Sequence, residues 1–217
     1  MRQKLNEKGR DFSTLYTKLS HRDIKAVLKL TFSRNKSTLY TVYTSSAGWF
    51  KNPRKTTVHF SAEKLIETIC FIIDTSYFRI EELIFKQDIG VPIGIDPGPL
   101  IANLTLRYFE NLYMSNLYKR DYASARKMNL TYRLIDDITS INSDGVFQKH
   151  CTDMYPSSLI LNKENTVDVS ADVLDLSIEI EIDKFKVSVY DKRDKYKFNV
   201  IRFSPKQSNI PGRMGYI

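Results

Sequence analysis

Two adjacent carboxylates occupy the middle of an apolar segment. Asp136 and Asp137 follow Leu134 and Ile135 and precede Ile138. Neighbouring carboxylates repel each other and apolar flanks reduce their hydration, so a bound cation would compensate for both effects. Mg²⁺ prefers carboxylate oxygens and often completes its shell with substrate phosphates. The pair therefore predicts a divalent-metal site, and an Asp-Asp dipeptide in an ordinary solvated turn is the alternative.

A metal site needs more ligands than this pair, and the surrounding elements must position them. Apolar residues on both sides of the pair predict two short strands joined in a hairpin, with the acids at its tip. Residues 10–16 predict another strand, which carries Asp11 and leads into a helix that begins after Ser20.

A loop rich in glycine and proline precedes the longest predicted helix. Residues 90–99 hold three of the eight glycines and three of the seven prolines, which predicts an irregular segment. Pro99 suits the first position of a helix that continues from Leu100 to about Lys119. Free backbone amides at such a helix start can bind phosphate.

The remaining elements predict one α+β domain over residues 1–217. Ser61 is expected to cap a helix that ends near Asp74. Polar residues over 33–60 predict an inserted hairpin, and a basic β-rich segment spans 172–217. Further elements are predicted as a hairpin at 77–87, a helix at 144–154, and strands at 159–161, 173–182 and 185–190.

The composition indicates a globular protein with a polyanionic partner. At 217 residues, 42% hydrophobic and 27% charged, the chain can bury one substantial core. Its formal charge of +8 suits nucleic acid, although a solvated basic face explains the same excess. Two cysteines and three histidines without ligand spacing argue against zinc. Without an apolar run for a membrane span or a signal core, we expect an intracellular protein, in the nucleus or cytoplasm.

Three segments, in this order, resemble the sequence motifs of a reverse transcriptase palm. They are Asp11–Leu19 for motif A, Phe85–Leu104 for motif B and Arg133–Ile138 for motif C. Motif B is the most specific, because its Gln, Gly, Pro and Ala-Asn-Leu residues follow one another in the expected order. The likeness runs from about residue 8 to 212 and is weak over 33–60. It is strongest to retroelement enzymes of the Penelope-like kind and related animal retrotransposon sequences.

The resemblance implies an α+β polymerase palm, an antiparallel sheet backed by helices, with partial fingers and the thumb absent. It implies an RNA-directed DNA polymerase, a nucleotidyltransferase that adds deoxynucleoside triphosphates to a DNA primer on an RNA template. Catalysis would use two Mg²⁺ ions, or Mn²⁺ in their place, held by Asp11, Asp136 and Asp137. No membrane partner is implied, and the oligomeric state stays open.

Four residues beside the acids are candidates for substrate binding. The resemblance implies that Tyr16 stacks under the sugar and excludes a 2′-hydroxyl, and that the backbone at Gly94 approaches nucleotide and template. Pro99 opens the helix whose amides suit phosphate, and Lys163 would protonate pyrophosphate. Plainer alternatives are core packing for Tyr16, a turn for Gly94 and a solvated side chain for Lys163.

Several features depart from the family pattern. Leu134 stands where Tyr or Phe is common, Ile93 replaces a frequent Met, and Gly98 replaces Ser or Ala and is expected to loosen the helix start. The likeness begins almost at Met1, without room for earlier finger strands, and ends before a thumb. A truncated fragment is therefore expected, with a catalytically inactive nucleic-acid-binding remnant of a retroelement polymerase as the main alternative. An RNA-directed RNA polymerase or a terminal transferase is a third hypothesis, which Tyr16 disfavours.

Overall fold

The structure is a computed structural model that combines helices with antiparallel sheets. It confirms the predicted mixture of helix and sheet. The described residues are 7–33, 39–42, 47–51, 58–141, 143, 145–163, 170–173, 176–181, 184–191, 193, 196 and 197.

A four-stranded antiparallel sheet forms the centre of the fold. Its central strand β1 (Glu7–Phe12) lies between β8 (Asp137–Ile141) and β9 (Leu161–Lys163). Strand β7 (Thr131–Leu134) pairs with the other edge of β8. The β7–β8 pair is the hairpin predicted around the two adjacent acids. The first strand is therefore held by elements that follow more than a hundred positions later.

The two faces of this sheet differ in polarity. Phe12 and Ile138 are only 3% and 1% exposed and belong to the main hydrophobic cluster, together with residues of the helices. Side chains alternate between the two faces along a strand. Asp11 and Asp137, the direct sequence neighbours of these core residues, therefore lie on the opposite face.

Helices form the rest of the core. They are α1 (Leu15–Lys18), α2 (His21–Phe32), α3 (Ala62–Asp74), α4 (Gly98–Arg120), α5 (Tyr122–Lys127) and α6 (Val146–Met154). Ser61 caps α3 as predicted, because its Oγ accepts a hydrogen bond from the Lys64 N–H at 3.1 Å. The strand predicted over 10–16 ends earlier, at Phe12, so Tyr16 lies in the one-turn helix α1. Among the described residues, no helix combines the length and apolarity that a bilayer crossing requires.

The other strands of the described chain form smaller antiparallel sheets. They are β2 (Leu39–Val42), β3 (Ala47–Phe50) and β4 (Val58–Phe60); β5 (Tyr77–Ile80) and β6 (Leu83–Lys86); and β10 (Ser170–Val173), β11 (Leu176–Ile180) and β12 (Phe185–Val189). The hairpins predicted within 33–60 and at 77–87 are confirmed. The strand predicted over 173–182 is shorter in the structure: Leu176–Ile180 forms β11, while Val173 ends β10, which pairs with β11 antiparallel. The strand predicted at 159–161 begins two positions later, at Leu161, and residues 198–217 of the basic segment lie outside the described residues.

The loop rich in glycine and proline is hydrogen-bonded to the segment that follows β1. The Val91 N–H donates to the Tyr16 carbonyl at 2.6 Å, and the Gly90 N–H donates to the Leu19 carbonyl at 2.8 Å. The His21 Nε2 lies 2.7 Å from the Gly90 carbonyl oxygen. These bonds hold the loop, and with it the start of α4, in a fixed position relative to β1.

Two glycines permit this close packing. Gly90 has a φ of 89°, and a Cβ there would lie 2.3 Å from the Tyr16 carbonyl oxygen. Gly98 begins α4, one residue before the predicted Pro99, and a Cβ there would lie 2.7 Å from the Pro92 carbonyl oxygen. The nearby backbone therefore leaves room only for a glycine here, and the expectation that Gly98 loosens the helix start stays a prediction.

We expect Gly90→Ala to lower the free energy of unfolding by about 2 kcal/mol or more, because alanine is strained at this φ and its methyl group would overlap a backbone carbonyl. Gly94→Ala is the matched control, since Gly94 lies in the same loop and a Cβ there would meet no atom within 4 Å. Urea denaturation followed by circular dichroism measures both variants. Equal stability of the two variants would contradict the loop packing.

Candidate metal centre

Three carboxylates meet at one end of the central sheet. Asp11 of β1 pairs directly with Asp137 of β8, and Asp136 precedes it in the β7–β8 turn. One carboxylate oxygen of each residue lies within 4.8 Å of those of the other two, and all three residues are half-buried. The fold thus brings together the three acids that the sequence singles out.

The turn that carries Asp136 has an unusual backbone conformation. Leu134 pairs with Asp137, so the loop consists of Ile135 and Asp136 alone. Ile135 has a φ of 55°, which is strained for a β-branched residue and is normally adopted by glycine at this position of a tight hairpin. The Ile135 side chain packs against the hydrophobic cluster, and the Phe12 N–H donates to the Asp136 carbonyl at 3.2 Å. Tertiary contacts therefore stabilise a conformation that the local sequence disfavours.

A buried polar network lies on the core side of this turn. The Arg133 guanidinium, whose side chain is 8% exposed, forms a two-point ion pair with Glu110 of α4. It also donates to the Asn103 side-chain oxygen at 2.7 Å and to the Ile135 carbonyl at 2.9 Å. The Tyr155 hydroxyl donates to Glu110 Oε1 at 2.9 Å. Burial and the adjacent Glu110 carboxylate hold the pKa of Tyr155 well above its usual range, so Tyr155 remains a donor at neutral pH.

The three carboxylates fit a hard divalent cation. Mg²⁺ binds oxygen ligands at about 2.1 Å, so two ligands of one ion lie about 3 to 4 Å apart. Oxygens within 4.8 Å of one another can therefore share one ion, or bridge two ions about 4 Å apart. Elsewhere in the described ranges, no second group of three acidic, histidine or cysteine side chains satisfies the same distance limit.

Tyr16 lies within electrostatic range of Asp136. It belongs to α1 and is half-buried. Burial, and in second place the negative charge of Asp136, raises the pKa of the Tyr16 hydroxyl. The phenol is thus close enough to Asp136 to respond to its charge, and its contact with a nucleotide sugar stays a prediction.

The other predicted binding residues are less closely associated with the acids. Gly94 lies in the exposed part of its loop, and Pro99 is the second residue of α4. In β9, the residue paired with Asp11 is Asn162 rather than Lys163. Paired residues share a face of the sheet, so the Cα–Cβ bond of Lys163 points to the face opposite Asp11. The structure does not place Lys163 with the acids on one face, and its role stays a prediction.

Arg133 and its partners were not among the functional residues predicted from the sequence. Arg133 pairs with Ile138, a core residue, so strand alternation places this charge on the buried face. A buried guanidinium requires a carboxylate partner, and this requirement is the signal that points to Glu110. Asn103 and Glu110 are seven positions apart, or about two helical turns, and therefore lie on the same side of α4.

Solved structures of telomerase resemble this chain. No protein-family model matches it, and no curated protein matches it by sequence. Telomerase from Candida albicans in complex with a TWJ fragment of telomeric RNA matches with a TM-score of 0.62 and 15% identity, over 84% of this chain and 31% of that one. Apo telomerase from Candida tropicalis matches with a TM-score of 0.59 and 19% identity, over 84% of this chain and 32% of that one. The Candida tropicalis enzyme in complex with a TWJ fragment of telomeric RNA matches with a TM-score of 0.57 and 20% identity, over 91% of this chain and 32% of that one.

At these identities the likeness concerns the fold alone. The chain spans about a third of the length of the solved telomerase chains. The finer assignments, to Penelope-like enzymes and to palm and fingers, stay predictions. Telomerase is a reverse transcriptase, and this chain therefore has a reverse-transcriptase-like fold.

Proposed function

We propose that the chain is the catalytic palm of an RNA-directed DNA polymerase, which adds deoxynucleotides to a primer 3′-hydroxyl. The observation that carries the proposal is the meeting of Asp11, Asp136 and Asp137 within 4.8 Å in a chain with a reverse-transcriptase-like fold. Clustered carboxylates hold the cations that nucleotidyl transfer requires. Two of the telomerase structures contain an RNA fragment, which supports an RNA partner.

Mg²⁺, or Mn²⁺ in its place, is the cation that suits these ligands. Two such ions would supply a lowered pKa for the primer hydroxyl and charge neutralisation for the triphosphate. Asp11, Asp136 and Asp137 would hold these ions. Because all three acids are half-buried, fewer waters compete with the substrate phosphates for the remaining positions.

Residues around the acids would bind the nucleotide. Tyr16, whose hydroxyl responds to the charge of Asp136, would contact the sugar of a nucleotide whose phosphates bind the cations. Gly94 presents open space to template or nucleotide, since a Cβ there would contact nothing within 4 Å. Pro99 lies in the first turn of α4, where the Gly98 and Ile101 N–H groups donate to Ile95 and Pro97, so the Leu100 N–H would be the donor to phosphate. Lys163 begins on the opposite face of the sheet, so its side chain would have to extend around the strand to reach the face that carries Asp11.

A catalytically inactive nucleic-acid-binding remnant is the second hypothesis, and the described basic residues give it little support. In the segment 172–217, Lys184 lies 3.3 Å from Glu181 and Lys186 lies 3.1 Å from Glu179. These ion pairs offset part of the positive charge that would attract a polyanion. The half-buried acid cluster, in contrast, would hold the catalytic cations and therefore favours the polymerase over the inactive remnant. We further propose a retroelement of the Penelope-like kind as the source of the chain, with template and primer in the nucleus or cytoplasm.

We expect Mg²⁺ or Mn²⁺ to raise the melting temperature, because the unfolded chain does not assemble the three carboxylates. A cation at a hundredfold its Kd contributes about 2.7 kcal/mol. Asp136→Asn should melt higher than wild type in EDTA, since it relieves repulsion, and should lose most of the metal-dependent gain. Asp88→Asn, at an acid whose side chain is 80% exposed, is the control. An identical metal response in wild type and Asp136→Asn would contradict the metal site.

We expect the chain to extend a DNA primer on an RNA template in the presence of Mg²⁺ or Mn²⁺. Asp11→Asn and Asp136→Asn should reduce the rate by about 10³-fold or more, because metal-assisted charge stabilisation contributes several kcal/mol. Asp88→Asn should retain the wild-type rate. Gel analysis of a labelled primer measures incorporation. Wild-type incorporation no greater than that of Asp136→Asn would remove the proposed activity and favour the inactive remnant.

We expect Tyr16→Ala to increase ribonucleotide incorporation relative to deoxynucleotide incorporation by roughly ten- to a hundredfold, because the ring no longer excludes the 2′-hydroxyl. Tyr122→Ala, at a tyrosine that is 60% exposed on α5, is the control and should leave the ratio unchanged. The measurement is the ratio of kcat/KM for the two nucleotide types. An unchanged ratio in Tyr16→Ala would assign the ring to core packing instead.

A further inference from the structure

Arg133 connects the acid-bearing hairpin to helix α4. Its Nη1 donates to the Ile135 carbonyl at 2.9 Å and to the Asn103 side-chain oxygen at 2.7 Å, while Nε and Nη2 face the Glu110 carboxylate. The Arg133 side chain is 8% exposed and that of Glu110 is 24% exposed. A guanidinium this deeply buried is stable only with a paired carboxylate, so the pair is fixed in place.

The hydrogen bond to the Ile135 carbonyl acts on the acids through one peptide plane. That carbonyl belongs to the peptide that joins Ile135 to Asp136, and a peptide unit is planar. A hydrogen bond that fixes the Ile135 oxygen therefore also fixes the positions of the Asp136 N and Cα atoms, which lie in the same plane. Arg133 reaches the turn from the core side of the sheet, whereas Asp11 and Asp137 lie on the other face. Arg133 can thus orient the metal ligands without contacting them.

The turn requires such support because its conformation is strained. Ile135 has a φ of 55°, and a residue of this type in that region persists only when its surroundings over-determine the conformation. The three carboxylates also repel one another when no cation is bound, which favours any relaxation that separates them. The bond from Arg133 opposes both tendencies at the residue adjacent to Asp136.

We propose that Arg133, held by Glu110, is a positioning residue that sets the geometry of the metal-binding carboxylates through the Ile135 carbonyl. This inference rests on the proposed function, since it assigns Arg133 a role in that same site. This positioning role requires the planar guanidinium, because one side chain must donate to Glu110, to Asn103 and to the Ile135 carbonyl at the same time. Lysine keeps the charge but carries all its N–H donors on one nitrogen, so it cannot make the same set of bonds.

The test uses the full chain and two variants, Arg133→Lys and Glu110→Gln, with Mn²⁺ as the probe. Free Mn²⁺ measured by electron paramagnetic resonance gives the affinity without any turnover. We expect both variants to bind Mn²⁺ about tenfold more weakly, the loss typical of residues that orient metal ligands. The Mg²⁺ concentration for half-maximal primer extension should rise by a similar factor, while the KM for primer–template stays at the wild-type value.

Ile73→Ala is the control for a general loss of stability. Ile73 is 1% exposed in α3, so its truncation weakens the core at a position outside the turn and the network. It should retain wild-type Mn²⁺ affinity at a temperature where every variant is folded. A tenfold loss of Mn²⁺ affinity in Ile73→Ala as well would overturn the positioning role, because instability alone would then explain it.

The outcomes separate this inference from the proposed function. If Asp136→Asn binds Mn²⁺ as tightly as wild type, the metal site and the proposed function both fail. If Asp136→Asn loses Mn²⁺ while Arg133→Lys and Glu110→Gln retain wild-type affinity, only the role of Arg133 is overturned. If Arg133→Lys does not fold, the Mn²⁺ affinities of Glu110→Gln and of the milder variant Asn103→Ala are compared with wild type instead. Unchanged Mn²⁺ affinity in both variants overturns the inference.

Discussion

Electrostatic repulsion among three carboxylates within 4.8 Å of one another is the constraint that the surrounding fold must resist. Backbone bonds hold the segment that carries each acid. Asp11 lies in the central strand and pairs with residues on both sides, and Asp137 is fixed opposite it by the register of β8. Asp136 lies in a two-residue turn, and its own carbonyl accepts a hydrogen bond from the Phe12 N–H of β1. A hairpin alone is marginally stable, so the other strands and the core behind them are needed to keep the acids together.

The support behind the sheet combines apolar packing with buried polar bonds, and Tyr155 belongs to both. Its ring meets Phe12 edge-on, with centroids 4.9 Å apart and an interplanar angle of 89°. Its hydroxyl donates to Glu110, the carboxylate that pairs with Arg133. The residue next to Asp11 in β1 is thus packed against a ring that also fixes the ion pair beneath the turn. Tyr155 therefore supports both β1, which carries Asp11, and the turn that carries Asp136.

Local sequence patterns predicted the features that depend on neighbouring residues. The hairpin around the Asp pair, the helix capped by Ser61 and the glycine- and proline-rich loop follow from alternation, capping and turn preferences, and the structure contains all three. Features that depend on tertiary packing were not predictable in this way. The positive φ of Ile135 opposes the preference of a β-branched residue, and Gly98 acquires its purpose only from the Pro92 carbonyl across the loop. Which face of β9 carries Lys163 depends on strand register, which no local pattern specifies.

The place of β1 in the middle of the central sheet has a consequence for how the protein is made. Within the described part of the chain, this strand pairs with segments that are synthesised much later, at β8 and β9. Contacts so distant in sequence form slowly, because a long loop must close before they can contribute. On the ribosome, β1 therefore cannot pair with β8 before translation has passed Ile141. A nascent chain that ends before Asp136 lacks two of the three acids, so cation binding would mark that β1 and β8 have paired.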